Sequence, residues 1–202
     1  MKRVFLLAGS IMLVAGVLLA APGGKTPSAK GSSSRKTPNP PVMFNGKKFY
    51  LQYSAGTPQE WLNEYLPAGQ NFNNYTEMIA VRYYDGVKAT PSQIAQLIAG
   101  NYAKAYPGIK YMLASNEKTG DGLVSYIMIE GNILEHNLFR TTTKDGVPVS
   151  VQYVYRKYLA KGTERTREDL SGFAKETNAR RTAWINALDE VVVPAAIRTV
   201  KK

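Results

Sequence analysis

The alternation of apolar and polar residues predicts most of the strands in this chain. Between residues 122 and 158, three runs rich in β-branched and aromatic residues follow one another with short breaks. Gly-Asn at 131–132 separates the first two runs, and Lys-Asp-Gly at 144–146 separates the last two. An Asp-Gly pair between alternating runs predicts a hairpin, because glycine accepts the positive φ of a tight turn. The stretch therefore predicts a three-stranded antiparallel meander.

The same alternation predicts three strands before the meander. In residues 47–54, Phe49, Leu51 and Tyr53 fall on one face of the predicted strand. Residues 76–84 alternate in the same way, and residues 109–115 predict a further strand that turns into the meander.

Three helices are predicted from capping signals and helical spacing. The Thr-Pro-Gln-Glu motif at 57–60 predicts a short helix that ends near Pro67, and Thr-Pro-Ser-Gln at 90–93 predicts a second helix. A long third helix is expected from about Thr166 to Glu190, with Trp184 on its apolar side and packed on the meander.

The predicted order of elements is β-α-β-α-β-β-β-β-α. Strands cluster and helices are few, which favours the α+β class. We expect a single twisted, mainly antiparallel sheet with the helices packed on one face, in one domain over residues 49–202.

The first 48 residues have a different composition from the rest. Two basic residues precede an uncharged stretch at 4–21, which predicts an export signal peptide over residues 1–20. The alternative is an uncleaved membrane anchor, because about 18 apolar residues is at the short edge of a spanning helix. Residues 21–48 are rich in Gly, Pro, Ser and Lys, and predict a disordered basic linker. The mature protein is therefore expected in the periplasm or outside the cell.

The formal net charge of +11 is concentrated at the two ends of the chain. Residues 1–48 carry eight basic and no acidic side chains, whereas residues 49–155 carry seven basic and nine acidic ones. A near-neutral sheet region argues against nucleic acid as a partner. The expected partners are another envelope protein or, through the basic linker, an anionic surface. Membrane contact is expected only through the N-terminal segment, if that segment is not cleaved.

One segment resembles a known family. Residues 64–70 read Glu-Tyr-Leu-Pro-Ala-Gly-Gln, and Tyr-Thr-Glu-Met follows at 75–78. This pattern resembles an uncharacterised family of secreted bacterial proteins, in which the aromatic residue at the place of Tyr75 is usually Trp. The resemblance implies export and a small α+β domain, and it implies no activity. The element order is also similar to that of the Mog1 and PsbP class of small binding domains, as an analogy of fold alone.

Few residues of the chain suit catalysis. Cysteine is absent, which excludes disulfides, thiolate metal sites and cysteine nucleophiles. His136 is the single histidine, so a histidine-rich zinc site is excluded. The chain has no phosphate-binding glycine motif and no calcium loop, and the sequence indicates no cofactor. An envelope hydrolase built on Glu64, Glu77 or His136 is the enzymatic alternative.

Tyrosine is unusually frequent, with 13 residues. Its apolar ring and polar tip suit both a half-exposed sheet face and a contact surface. The candidate binding residues, on the predicted sheet and in the loop before residue 76, are Asn71, Asn74, Tyr75, Tyr84, Tyr126, Tyr153 and Tyr155. The sequence thus favours a non-enzymatic exported binding or assembly factor over an enzyme.

Overall fold

An eight-stranded antiparallel sheet and two helices form the described part of the chain. The computed structural model describes residues 39–160 and 166–198. The strands run in the order β1-β2-β3-β4-β8-β7-β6-β5 across the sheet. The predicted α+β class and antiparallel sheet are therefore confirmed. In chain order the elements are β1 (Val42–Phe44), β2 (Lys47–Thr57), β3 (Glu60–Pro67), β4 (Glu77–Tyr83), α1 (Pro91–Ala105), β5 (Tyr111–Ser115), β6 (Gly122–Glu130), β7 (Ile133–Lys144), β8 (Val147–Tyr158) and α2 (Arg167–Asp189).

The predicted meander is present as β6, β7 and β8, which pair antiparallel as neighbours. The turn between β7 and β8 places Asp145 at φ 51° and Gly146 at φ 79°. Both values lie in the left-handed region that a tight hairpin turn of this type requires. The local turn chemistry therefore fixes this part of the sheet, as the sequence predicts.

The short helix predicted after Thr57 is wrong, because residues 60–67 form strand β3. The Thr57 hydroxyl accepts hydrogen bonds from the main-chain N–H groups of Gln59 and Glu60, at 3.3 and 3.2 Å. These bonds resemble a helix cap, but they close the turn of the β2–β3 hairpin. The strand is buried on both faces, so its apolar residues do not alternate and imitate helical spacing.

Helix α1 packs on one face of the sheet, called here the α1 face. A Cβ atom at Gly122 would lie 2.5 Å from the Cβ atom of Ala95, so only glycine fits at this crossing. Further along the helix, the ring centroid of Tyr102 lies 4.3 Å from that of Tyr126.

Helix α2 packs on the opposite face, called here the α2 face. The ring centroid of Trp184 lies 5.4 Å from that of His136 and 5.3 Å from that of Tyr153. Tyr126, on the α1 face, pairs in register with Asn137, the chain neighbour of His136. Because neighbouring residues in a strand point to opposite faces, the two helices cover different faces. The expectation of helices on one face is therefore corrected, while the packing of Trp184 on the meander is confirmed.

The basic linker predicted for residues 21–48 ends earlier than expected. Residues 42–44 form β1, and Val42 and Phe44 are buried in the core of the α2 face. The ring of Phe44 stacks on that of Tyr153 with centroids 4.2 Å apart, which gives this segment a fixed place. The predicted signal peptide and residues 21–38 lie outside the described residues.

Strand β2 contains an irregularity that changes which side chains share a face. Its register against β3 shifts between Leu51 and Tyr53, so Tyr53 pairs with Glu64. Tyr53 therefore lies on the α1 face, away from Phe49 and Leu51. The sequence prediction that these three residues share a face is corrected by this shift.

Both helices begin with a capping box. The Thr90 hydroxyl accepts from the N–H of Gln93 at 3.2 Å, and the Gln93 side-chain carbonyl accepts from the N–H of Thr90 at 2.8 Å. Thr166 and Asp169 exchange the same pair of bonds, each at 3.0 Å. These boxes satisfy N–H groups that would otherwise lack partners at the helix starts.

Loss of the α1 cap should have a measurable effect on stability. Thr90→Ala should lower the free energy of unfolding by about 1 kcal/mol, because an N–H group of the first turn loses its acceptor. Thr143→Ala, at an exposed position of β7, should change it by less than about 0.5 kcal/mol. Urea denaturation followed by circular dichroism measures both. Equal midpoints for the two variants would show that the cap contributes nothing.

Candidate functional site

A cluster of polar side chains is buried on the α1 face. Its members, called here the polar cluster, are Glu64 of β3, Tyr75 of the β3–β4 loop, Glu135 and Asn137 of β7, and Gln152 and Arg156 of β8. The side chain of Arg156 is 11% exposed, and the other five residues are at most 7% exposed. Polar groups buried to this degree need hydrogen-bond partners.

Glu135 is the most fully paired member of the polar cluster. Arg156 is its register partner on β8 and donates to its carboxylate from Nε. Asn137 donates to the same carboxylate at 2.8 Å, and Gln152 donates to the Asn137 carbonyl at 2.7 Å. Arg156 is therefore paired with Glu135, and the two amides extend this network across the sheet.

Glu64 is the unmatched member. It is 7% exposed and lies between Tyr53 and Ala80 in the register of the sheet. Within residues 39–160 and 166–198, no group donates a hydrogen bond to its carboxyl group or forms an ion pair with it. Burial raises the pKa of Glu64 to about 7, although the charge of Arg156 acts in the opposite direction. Close to neutral pH this carboxyl group therefore exchanges between its two protonation states.

Tyr75 contacts the paired part of the polar cluster through Arg156. The guanidinium carbon of Arg156 lies 4.1 Å from the centre of its ring, a cation–π contact. Burial is the main reason that the pKa of Tyr75 is raised, and the charge of Glu135 raises it further. The hydroxyl group therefore stays protonated at physiological pH and remains a hydrogen-bond donor.

Aromatic side chains continue from Tyr75 towards the surface. Phe72 meets the edge of the Tyr75 ring at 6.5 Å, and Tyr53 meets Phe72 in the same way at 6.3 Å. Tyr53 is 47% exposed and is the register partner of Glu64. These three rings, called here the aromatic wall, therefore extend from Tyr75 in the polar cluster to the surface at Tyr53.

The predicted binding residues Asn71 and Asn74 shape the loop that carries this wall. The side chain of Asn74 accepts from the N–H of Asn71 at 2.9 Å, and the side chain of Asn71 accepts from the N–H of Asn73 at 2.9 Å. The Gln70 side chain also forms two hydrogen bonds with Thr76. It accepts from the Thr76 N–H at 2.8 Å and donates to the Thr76 hydroxyl at 3.1 Å. The two asparagines therefore fix the position of Tyr75.

The other predicted tyrosines are divided between the two faces. Tyr126 packs against Tyr102 on the α1 face, and the Tyr84 hydroxyl lies 3.2 Å from that of Ser150 on the same face. Tyr153 and Tyr155 lie on the α2 face. Their hydroxyls donate to Glu77 and Glu176, at 2.8 and 2.7 Å. The predicted tyrosines therefore do not form one surface, and only Tyr75 belongs to the polar cluster.

The three residues of the hydrolase alternative are not brought together. His136 and Glu77 lie on the α2 face, opposite Glu64. Glu77 accepts from Lys47 at 2.6 Å as well as from Tyr153. His136 is buried between the sheet and Trp184, with its Nε2 2.9 Å from the Ser125 hydroxyl. Burial lowers the pKa of His136 to about 4, with a further effect from Arg181, so the ring is neutral at physiological pH.

Other features of the described residues are weaker candidates for a site. A cavity of about 380 Å³ is lined by Asp121, Arg140 and Asp189 among others, but Arg140 already donates to Asp121 at 3.2 Å and to the Asp189 carbonyl at 3.0 Å. Residues 39–160 and 166–198 contain no group of three or more potential metal ligands. In these same residues no helix is long and apolar enough to cross a membrane. The polar cluster is therefore the strongest candidate.

Four members of the polar cluster were missed by sequence reasoning. Glu135 and Asn137 alternate within β7, and Gln152 and Arg156 are polar positions of β8, all inside otherwise apolar runs. This period of two was the available signal, because residues that alternate in a strand share a face. It was hidden because the opposite face of both strands is buried as well.

A protein-family comparison assigns most of the chain to one family. The family model matches residues 37–192. The chain belongs to this uncharacterised family. No curated protein matches the chain. The matched residues include the whole polar cluster, so the candidate site lies in the part of the chain that defines the family.

Proposed function

We propose that the protein is a non-enzymatic binding or assembly factor that acts in the bacterial periplasm or cell envelope. The charged N-terminus and the uncharged stretch after it support export, and the basic residues before residue 48 support contact with an anionic surface. The polar cluster supports a binding role, with the unmatched Glu64 carboxyl group as the observation that carries the proposal.

The charges of the polar cluster indicate what its ligand brings. The cluster holds two carboxyl groups and one guanidinium group, and Arg156 is paired with Glu135. An ionised Glu64 would be a buried charge that shares the positive charge of Arg156 with Glu135, which is unfavourable. A ligand that supplies one amino or guanidinium group would balance this charge. The proposed ligand is therefore a lysine or arginine side chain of another envelope protein.

The aromatic wall suits the same ligand. Tyr53, the register partner of Glu64, and Phe72 provide aromatic rings beside the polar cluster, and ring faces attract cations. The contact between Arg156 and Tyr75 shows this type of interaction within the site itself. The alkyl stem of a lysine would lie against the wall while its ammonium group reaches the carboxylate.

Binding of a cationic probe should depend on Glu64 and on pH. The full-length protein is titrated with the blocked tripeptide acetyl-Gly-Lys-Gly-amide, and with its norleucine counterpart as a neutral control. Because Glu64 must ionise to pair, affinity should rise about tenfold between pH 6 and pH 8, and binding should release close to one proton at pH 6 and almost none at pH 8. Isothermal titration calorimetry in two buffers of different ionisation enthalpy measures both quantities.

Variants separate this site from general charge effects. Glu64→Gln should abolish binding of the lysine peptide, whereas Glu130→Gln, at an exposed position of β6, should leave it unchanged. Equal binding of the lysine and norleucine peptides would contradict the cationic ligand. Undiminished binding by Glu64→Gln would contradict the site.

A further inference from the structure

Strand β5 forms one edge of the sheet and is open on its outer side. Among the described residues it pairs with β6 alone, and four of its five residues are exposed. Tyr111 is 45% exposed and Leu113 is 41% exposed. Both lie on the α1 face, because Tyr111 is the register partner of Tyr126 and alternate residues of a strand share a face. The strand contains no charged residue, and an uncharged edge that exposes apolar side chains readily pairs with another strand.

The opposite edge of the sheet has features that oppose such pairing. Its outermost strand, β1, has only three residues. The part of β2 that extends beyond β1 contains the register shift between Leu51 and Tyr53. Very short edge strands and bulges are two ways in which proteins prevent the addition of a further strand. Strand β5 keeps an unbroken register with β6 over its whole length, so it is the edge better suited to pairing.

The pairing of β5 with β6 determines which of its main-chain groups face outwards. The N–H of Asn116 donates to the Asp121 carbonyl at 2.8 Å, in the register of the β5–β6 hairpin. Hydrogen-bonded pairs alternate along an antiparallel ladder, so the even-numbered residues of β5 bond to β6. The N–H and C=O groups that point away from the sheet are therefore those of Tyr111, Leu113 and Ser115.

The outward-facing groups match those of a second copy of the chain. In an antiparallel pairing about a two-fold axis at Leu113, the two Leu113 residues exchange hydrogen bonds with each other. Tyr111 of each copy exchanges hydrogen bonds with Ser115 of the other. Each outward-facing N–H and C=O group of the strand then has a partner. The two Leu113 side chains also lie side by side on the α1 face, where each removes the other from water.

The charges at the two ends of β5 favour this antiparallel pairing. Lys110 precedes the strand and Glu117 follows it, and both are exposed. Within residues 39–160 and 166–198 neither of them forms an ion pair. The two-fold pairing places Lys110 opposite Asn116 of the second copy, next to its Glu117, and this contact occurs twice. A parallel pairing in the same register would instead place like charges next to each other.

We propose that β5 is a dimerisation surface, at which two copies of the chain pair edge to edge to form one continuous antiparallel sheet. The polar cluster contains no residue of β5, so each copy keeps its candidate site. The dimer presents two such sites, and a partner with two suitable cationic side chains would bind through both of them with increased avidity. The pairing itself does not depend on the ligand proposed for Glu64.

Sedimentation velocity of the full-length protein tests the proposal. Dimerisation should depend on concentration, with a dissociation constant in the micromolar range, because the paired surface is small. Leu113→Lys places two like charges at the two-fold axis and should weaken dimerisation by about tenfold or more. Met43→Lys is the matched control, because Met43 is 49% exposed on β1 at the opposite edge. It should leave dimerisation unchanged, and circular dichroism checks that both variants fold.

Charge exchange tests the register, and it keeps the proposal falsifiable if Leu113→Lys does not fold. Lys110→Glu and Glu117→Lys should each weaken dimerisation by about threefold or more, whereas the variant with both changes should restore it. Lys88→Glu changes an exposed lysine outside β5 and should have no effect, which controls for net charge.

Hydrogen exchange measured by ¹⁵N NMR reports on the paired groups directly. When the protein concentration is raised, exchange should slow at the N–H groups of Tyr111, Leu113 and Ser115. The N–H groups of the two residues between them should exchange slowly at every concentration, because they already bond to β6.

Three results would overturn the proposal. One is a protein that stays monomeric at about 100 μM. Another is a dimer that persists unchanged in Leu113→Lys. The third is a dimer that both single charge variants weaken but that the double variant does not restore, because the two copies would then not be paired in the antiparallel register.

Discussion

Replacing Trp184 with alanine should lower the free energy of unfolding by about 3–5 kcal/mol. The side chain is 3% exposed, and its ring contacts His136, Tyr153 and Tyr155 at centroid distances of 5.3–5.4 Å. The loss would include the buried apolar surface and the cavity left on the α2 face. Because a domain of this size is stable by only about 5–15 kcal/mol, the variant should contain a large unfolded fraction under mild conditions.

A matched variant on the same helix separates packing from helix propensity. Lys175→Ala lies on the exposed side of α2 and should change the free energy of unfolding by less than about 0.5 kcal/mol. Urea denaturation followed by circular dichroism compares the two variants with the unchanged protein. A midpoint for Trp184→Ala that matches that of Lys175→Ala would show that α2 does not contribute its packing to the stability of the sheet.

The parts of the fold that the sequence predicted depend on local chemistry. The β7–β8 hairpin follows from Asp145 and Gly146, which occupy the positive-φ positions of its turn. The starts of both helices follow from capping boxes at Thr90 and Thr166, which act within three residues. Such signals act locally, but a similar motif at Thr57 closes a hairpin turn instead of starting a helix.

The errors arose where the deciding contacts are distant in sequence. Strand β3 lies inside the sheet, between β2 and β4, and both of its faces are buried. Its apolar residues therefore do not alternate with polar ones. For the same reason, the sequence did not show that the helices lie on opposite faces, or that Tyr75 lies on a different face from Tyr153 and Tyr155. No local signal shows which face of a doubly covered sheet a residue occupies.

The sequence predicted only part of the candidate site, because the contacts that build the site also join segments that are distant in sequence. The sequence indicates Tyr75 as part of the loop at residues 71–75, and Glu64 only as a carboxylate of the alternative hydrolase. Their connection with Glu135 and Arg156 depends on β8 lying next to both β4 and β7, a pairing between distant segments. The chemistry of the site therefore became visible only once the order of the strands was known.

Glu64 and His136 should give the stability of the protein two opposite dependences on pH. The pKa of Glu64 is raised from 4.5 to about 7, so between these values the folded protein holds a proton that the unfolded chain has released. The contribution of Glu64 to stability therefore falls as the pH rises from about 4.5 to about 7. Since one pKa unit corresponds to 1.36 kcal/mol, the full change is about 3 kcal/mol.

His136 acts in the opposite direction. Its pKa is lowered from 6.5 to about 4, so between these values the unfolded chain binds a proton that the folded protein excludes. The contribution of His136 therefore falls as the pH drops from 6.5 to about 4, again by about 3 kcal/mol. In the unchanged protein the two effects oppose each other between pH 4.5 and 6.5, and variants are needed to reveal them.

Single substitutions should separate the two effects. The stability of the unchanged protein relative to Glu64→Gln should fall by about 3 kcal/mol between pH 4.5 and pH 7, and relative to His136→Gln it should rise by about 3 kcal/mol between pH 4 and pH 6.5. Urea denaturation at half-unit steps of pH gives both difference curves, in which the titration of the other carboxylates cancels. Parallel curves for Glu64→Gln and His136→Gln would show that the two groups do not titrate as their burial requires.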